Sequence, residues 1–118
     1  MNASAIIYTQ LAGLVDGKCY PLIIPESDPS NPPYIVYQII STEPDNDLDG
    51  ITGHEWVTAQ IDVYHSDYDA CLSLTAKAIN QLDQIKPSTY HGTQYLRDEE
   101  SGLFRGLVEY SFWQTLEL

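Results

Sequence analysis

Val57-Thr58-Ala59-Gln60-Ile61-Asp62-Val63-Tyr64, running on through His65-Ser66-Asp67 into residues 68–85, decides the fold, because the hydrophobic period changes inside it. In the first eight residues Val57, Ala59, Ile61 and Val63 alternate with Thr58, Gln60, Asp62 and Tyr64. A period of two belongs to a strand with one face on the core. Past Asp67 the spacing lengthens: Cys71, Leu74, Thr75, Ala78, Leu82 and Ile85 fall on one helical face, and Leu72 and Ile79 widen the stripe. Ser66 followed three residues later by Asp69 has the form of a capping box, and Asp67 and Asp69 suit the positive end of the helix dipole. Pro87 stops the helix, since the residue before a proline avoids helical dihedrals.

Outward from this unit, residues 34–41 (Tyr-Ile-Val-Tyr-Gln-Ile-Ile-Ser) are β-branched and aromatic with apolar residues on both faces, the pattern of a central strand. Before them, Tyr20-Pro21-Leu22-Ile23-Ile24-Pro25 is extended, and its two prolines confine it to an edge strand or a loop. Residues 26–33 and 43–53 are polar and read as loops. Over residues 5–14, Ile7, Leu11 and Leu14 share a helical face, with Ser4 or Asn2 placed to cap it and Gly13 or Gly17 to end it. Residues 93–98 lead through Glu99-Glu100-Ser101-Gly102, a turn, into residues 103–115. There Val108, Tyr110 and Phe112 share one face, and Glu109, Ser111 and Trp113 the other. The order helix, strands, helix, strands predicts an α+β fold: an antiparallel sheet of about four strands with two α-helices packed on one face. The length of 118 residues fits one domain spanning 1–118.

Hydrophobic residues at 43% and charged residues at 19% are ordinary for a folded soluble protein. The 17 acidic and 5 basic residues give a net charge of -12. Gripping nucleic acid takes clustered Lys and Arg, so a surface that binds it is not expected. The charge suits solubility, a basic protein partner, or a surface to which DNA does not stick. No stretch approaches the roughly 18 apolar residues of a membrane span, and no membrane partner is expected. Met1-Asn2-Ala3-Ser4-Ala5 carries no basic region, so no signal peptide is expected. Cys19 and Cys71 are far apart without a partner motif and read as reduced thiols of a cytoplasmic fold.

The sharpest chemical motif is Asp45-Asn46-Asp47-Leu48-Asp49-Gly50, which opens like an EF-hand calcium loop, with carboxylates at positions 1, 3 and 5 and glycine at 6. The pattern then fails. Position 12 is Trp56, with Glu55 one residue early, and position 8 is Thr52 where an aliphatic residue is usual. The flanks read as strands, so a solvated acidic loop is favoured over weak cation binding. His54, His65 and His91 lack metal-ligand spacing. Tyr64-His65-Ser66-Asp67 places a Ser, a His and an Asp together, but neighbours at a strand-to-helix junction point in different directions, and no glycine elbow flanks Ser66. Cys19 beside Lys18 is thin ground for a reactive thiol. There is no glycine-rich phosphate loop. No enzyme activity, metal or cofactor is expected.

Three segments together carry a family pattern: Pro33-Tyr34-Ile35-Val36-Tyr37-Gln38, then Gln60-Ile61-Asp62-Val63-Tyr64 leading into the helix from Asp67, then Phe104-Arg105-Gly106-Leu107-Val108-Glu109-Tyr110-Ser111-Phe112-Trp113. In order and spacing the chain resembles the tail-completion (tail-terminator) family of long-tailed bacteriophages and prophages, over residues 21–114. The family often has a basic residue shortly before the Gln-x-Asp-Val strand, where this chain has Thr58; an inter-subunit contact made there would need a different partner. The resemblance implies a subunit of the virion tail, present in the host cytoplasm during assembly, that forms a ring, typically a hexamer, at the head-proximal end of the tail tube. Such a ring ends tube growth and joins tail to head. Its implied partners are copies of itself, the tail tube protein and the head connector or completion protein, with DNA passing through the lumen without specific binding. Another head–tail connector or neck protein is the alternative within the same biology, and a small ligand-binding α+β domain lies outside it.

On this reading residues 43–53 are an inter-strand loop of the kind rings use for contact. Leu48 and Ile51 are apolar residues in its polar tip, among Asp45, Asp47, Asp49 and Glu55. They either meet a partner or fold back on their own sheet. Arg97 and Arg105 flank the turn at 99–102 and are two of the scarce cations, suited to an acidic neighbouring subunit or to Asp98 or Glu109 within the sheet. These eight residues are the candidate partner and subunit interface. Tyr34, Tyr37, Tyr64, Tyr90, Tyr95 and Tyr110, with Trp56 and Trp113, put aromatics on both sheet faces, which fits either core packing or an interface.

Overall fold

The computed structural model describes residues 2–22 and 31–117. Helix α1 (Ala3–Leu11) is capped by Asn2, whose side-chain oxygen accepts from the Ala5 N–H at 2.9 Å. Ala3, Ile7 and Leu11, four apart, are its buried stripe. A 3-10 turn over Ala12–Val15 continues it and ends where Asp16 and Gly17 take positive φ.

Strand β1 (Cys19–Pro21) lies parallel to the start of β2 (Tyr34–Asp47). β2 returns as β3 (Gly50–His65), α2 (Tyr68–Leu82) follows, and β4 (Ser88–Arg97) hairpins into β5 (Phe104–Thr115). The sheet order is β1-β2-β3-β5-β4, antiparallel except between β1 and β2. The sheet has five strands against about four expected. The additional one is short β1, which begins at Cys19 and overlaps, at Tyr20 and Pro21, the stretch at 20–25 that sequence left open between edge strand and loop. The expected loop at 26–33 lies mostly outside the described residues.

Both helices pack on one face of the sheet. That face is built by Ile35 and Tyr37 of β2, Val57, Ala59, Ile61 and Val63 of β3, and Val108, Tyr110 and Phe112 of β5, all buried. Cys71, Thr75, Ala78 and Leu82 of α2 complete the core. The closest approach is at Gly106, where an added Cβ would sit 2.3 Å from Thr75 Oγ1; a glycine lets α2 lie this near β5. The cap of α2 is Asp67 rather than Ser66: its Oδ2 accepts from the Ala70 N–H at 2.9 Å. A carboxylate is the stronger acceptor, and it draws the helix start one residue along.

The loop expected from polarity at 43–53 is strand. Residues 43–53 form the end of a β-ribbon, with Glu43 opposite Trp56, Pro44 opposite Glu55 and Asn46 opposite Ile51. Asp47 Oδ1 accepts from the Asp49 N–H at 2.8 Å and Gly50 takes φ 113°, which closes the turn at Leu48-Asp49. Helices cover neither face of this ribbon, so no apolar alternation marks it. β4 begins at Ser88, five residues before the expected 93, because a bulge between Tyr90 and Gly92 breaks its period.

Candidate assembly surface

The register divides the candidate residues into two distant groups. At one end of the sheet Tyr34, Tyr64, Arg105 and Leu96 stand level across β2, β3, β5 and β4. At the other, His54 is level with Thr115, and the ribbon projects beyond them. β3 has 16 residues, and at about 3.3 Å each it spans about 50 Å, matching the longest dimension of 51 Å. Arg97 and Arg105, level with His65 and Tyr64, therefore lie about 45–50 Å along the strands from the ribbon tip. One contact cannot use both groups of the same molecule.

At the tip, Asp45, Asp47, Leu48, Asp49 and Ile51 are all exposed, and Leu48 touches nothing that shields it. The tip is stiffened from within: Thr52 Oγ1 donates to the Asp45 carbonyl at 2.6 Å and accepts from the His54 N–H at 3.2 Å. Glu55 is held at the base. Its Oε1 accepts from Gln114 Nε2 at 2.9 Å, while Gln114 Oε1 accepts from the Ala3 N–H at 2.8 Å. Gln114 thus ties β3, β5 and the start of α1 together. Beside it Trp56 and Trp113 meet edge to face, centroids 5.3 Å apart, on the face without helices.

Arg97 and Arg105 point to opposite faces, since Arg97 is opposite Phe104 and Arg105 opposite Leu96. Arg97 makes no ion pair among the described residues. Arg105 is engaged within the sheet: its Nη2 donates to Asp62 Oδ2 at 3.1 Å, and its guanidinium lies 5.8 Å from the Tyr64 ring centre. Burial lowers the Arg105 pKa, but the Asp62 hydrogen bond and charge outweigh it, and the net shift is upward. The Asp62 carboxylate, only 7% exposed, also accepts from Gln60 Nε2. Tyr34 stacks on Tyr64 at 4.9 Å, and burial raises the pKa of both phenols. These side chains line a depression of about 360 Å³ on the helix-free face.

Sequence reasoning missed two groupings. One is this Tyr34–Tyr64–Arg105–Asp62–Gln60 cluster. The other is a chain of hydroxyls across the same face: His91 Nε2 to Ser111 Oγ at 2.6 Å, and Ser111 Oγ to Thr58 Oγ1 at 2.9 Å. The alternate positions of β3 carried a signal, as Thr58, Gln60, Asp62 and Tyr64 share one face, but their partners depend on the β3–β5 register. Ser111 is fully buried and not presented to a substrate. Burial pushes the Cys19 thiol up to about 12, which leaves no thiolate at neutral pH. Among the described residues, no three His, Cys, Asp or Glu side chains gather so as to hold a metal ion.

A model of a family of phage tail structural proteins matches residues 9–115 of the chain. Its description is Tail completion protein gp17, and the chain belongs to that family. Among solved structures, a chain of the "Virion of native gene transfer agent (GTA) particle" is similar, with a TM-score of 0.57 and 17% sequence identity. The match covers 93% of this chain and 92% of that one, and at this identity the likeness is one of fold. A comparison with curated proteins gave no match. The family gives the chain a structural role in the phage tail.

Proposed function

We propose that the chain closes a ring, six-fold in the typical case, on the head-proximal end of the tail tube, where it ends tube growth and presents a surface to the head connector. The observation that carries this reading is the exposed ribbon: Leu48 and Ile51 stand in water amid Asp45, Asp47 and Asp49, on a stiffened hairpin that serves no core. An apolar tip of this kind is covered once a partner meets it. Arg97, free of ion pairs among the described residues, is a cation available for contact at the opposite end, whereas Arg105 and Glu55 hold the subunit in shape. The role is non-enzymatic, and the net charge of -12 lets DNA slide through the lumen without adhering.

Deleting the gene tests the reading. Tails of uncontrolled length are expected. Normal particles from the deletion strain overturn the proposal, and tails of normal length detached from full heads assign the chain to another head–tail connector. Within the ring reading, Leu48→Asp with Ile51→Asp leaves the melting temperature of the isolated chain unchanged and reduces completed particles at least tenfold.

A further inference from the structure

Among the described residues, two strand edges of this sheet are open. β4 is the last strand, and no described strand lies beyond it. On the other side β1 covers only Ile35, Tyr37 and Val36 between them, so β2 from Gln38 onward has no outer neighbour among the described residues. Pro44, which has no N–H, limits this open stretch to about residues 38–43. Open edges invite pairing unless they are blunted. β4 carries little blunting: Ser-Thr-Tyr-His-Gly-Thr-Gln-Tyr-Leu-Arg contains no proline, lysine or acidic residue, and only the bulge between Tyr90 and Gly92 interrupts its edge.

The register makes the two edges complementary. Ser88 is level with Phe112, Val57 and Thr42; Thr89 with Ser111, Thr58 and Ser41; Tyr90 with Tyr110, Ala59 and Ile39. The first half of β4 therefore stands at the same height as the open stretch of β2, and the two strands run in opposite directions. Two copies set side by side in the same orientation bring these edges together antiparallel; β1 of one copy stands level with Thr93, Gln94 and Tyr95 of the other, so the pairing ends at the bulge before Gly92, where β4 turns aside. Ile39 and Tyr90 are 37% and 46% exposed, at one height and on the helix-bearing face.

We propose that residues 88–92 of one copy pair with residues 38–42 of the next, extending one sheet from subunit to subunit, with Tyr90 packed against Ile39. The contact is head-to-tail, so it excludes a two-fold dimer and makes a ring when the rotation between copies closes, as it does on a tube end of fixed symmetry. An aromatic side chain opposite a β-branched one is a favourable cross-strand pair. The proposal rests on the ring reading and names the surface that makes the ring.

Ser41→Cys with Thr89→Cys tests it. Within one molecule two strands separate these positions, about 14 Å at strand spacing, beyond disulfide reach. Across the proposed junction they are direct neighbours. Tails assembled with the double variant and mildly oxidised are expected to give a disulfide ladder on non-reducing gels, whereas Thr42→Cys with Thr89→Cys, on opposite faces, gives none. Counting copies per tail by quantitative mass spectrometry separates the two ideas. Several copies without a ladder overturn this pairing and leave the ring. A single copy per tail overturns both. Dimers from Thr89→Cys alone mean that β4 pairs with itself, which also overturns the proposal. As a check independent of cysteine chemistry, Tyr90→Lys, which also gives up the ring contact with Tyr110, is expected to stay folded by circular dichroism and to lose at least tenfold in copies per tail; a folded variant with unchanged incorporation overturns the pairing.

Discussion

Arg105 lies between a carboxylate and an aromatic ring, bonded to Asp62 at 3.1 Å and set against Tyr64. Hydrogen bonds to charged groups contribute about 1.5–3 kcal/mol, and this pair is largely shielded on the Asp62 side. Arg105→Leu is therefore expected to lower unfolding free energy by about 1–3 kcal/mol, read from urea denaturation at neutral pH. Arg97→Leu, without an ion pair to lose, stays within about 0.5 kcal/mol of the parent. If the two variants unfold alike, the Asp62 contact contributes nothing. The sequence showed Arg105 as a scarce cation but pointed to Asp98 or Glu109 near it in the chain. Asp62 is 43 positions away, and only the β3–β5 register puts it within reach.

At the scale of elements, the seating of α2 on β5 depends on Gly106. Its missing Cβ leaves room for Thr75, and Gly106→Ala forces the helix or the strand to shift. Overpacking of this kind costs about 1–3 kcal/mol. Because the obstruction is the Thr75 side chain, Thr75→Ala in the same molecule should restore part of the loss, with a coupling of at least about 0.5 kcal/mol in a double-mutant cycle. Strictly additive effects would place the strain elsewhere. α2, β3 and β5 were legible because each has one buried face that imprints a period of 3.6 or two. The ribbon was not, since water reaches both its faces and polar residues there carry no period. The first half of β4 was hidden by the His91 bulge, and β1 is too short to show a pattern.

For the whole molecule, stability is tied to pH through groups buried in their neutral form. Burial raises the pKa of Tyr34, Tyr64 and Tyr110, and it takes Cys19 from 9.0 to about 12. In the unfolded chain these groups lose protons first, so above their ordinary values the unfolded state gains relative to the folded one. Their contribution is full below about pH 9 and is lost as pH rises through the folded values. The melting temperature should fall between about pH 9 and pH 12, and Cys19→Ala should flatten the early part of the decline. A melting temperature that stays level across that range contradicts this account. The overall α+β plan was readable from the order of periodic segments; the separation of the two candidate groups was not, because it depends on which strands are neighbours.

The Gln114 side chain holds Ala3 beside β5, and Asn2, Thr115, Leu116 and Glu117 line one shared depression there. Residues 2 and 117 thus leave the fold together, next to the base of the ribbon. An affinity tag or fluorophore appended before Asn2 or after Glu117 reports on the same end of the subunit. A circular permutant, with that gap joined by a short Gly/Ser segment and new ends opened in the exposed turn at 99–101, carries its label at the far end instead. Capturing assembled particles through one label and then the other shows which end of the subunit faces outward and which is enclosed.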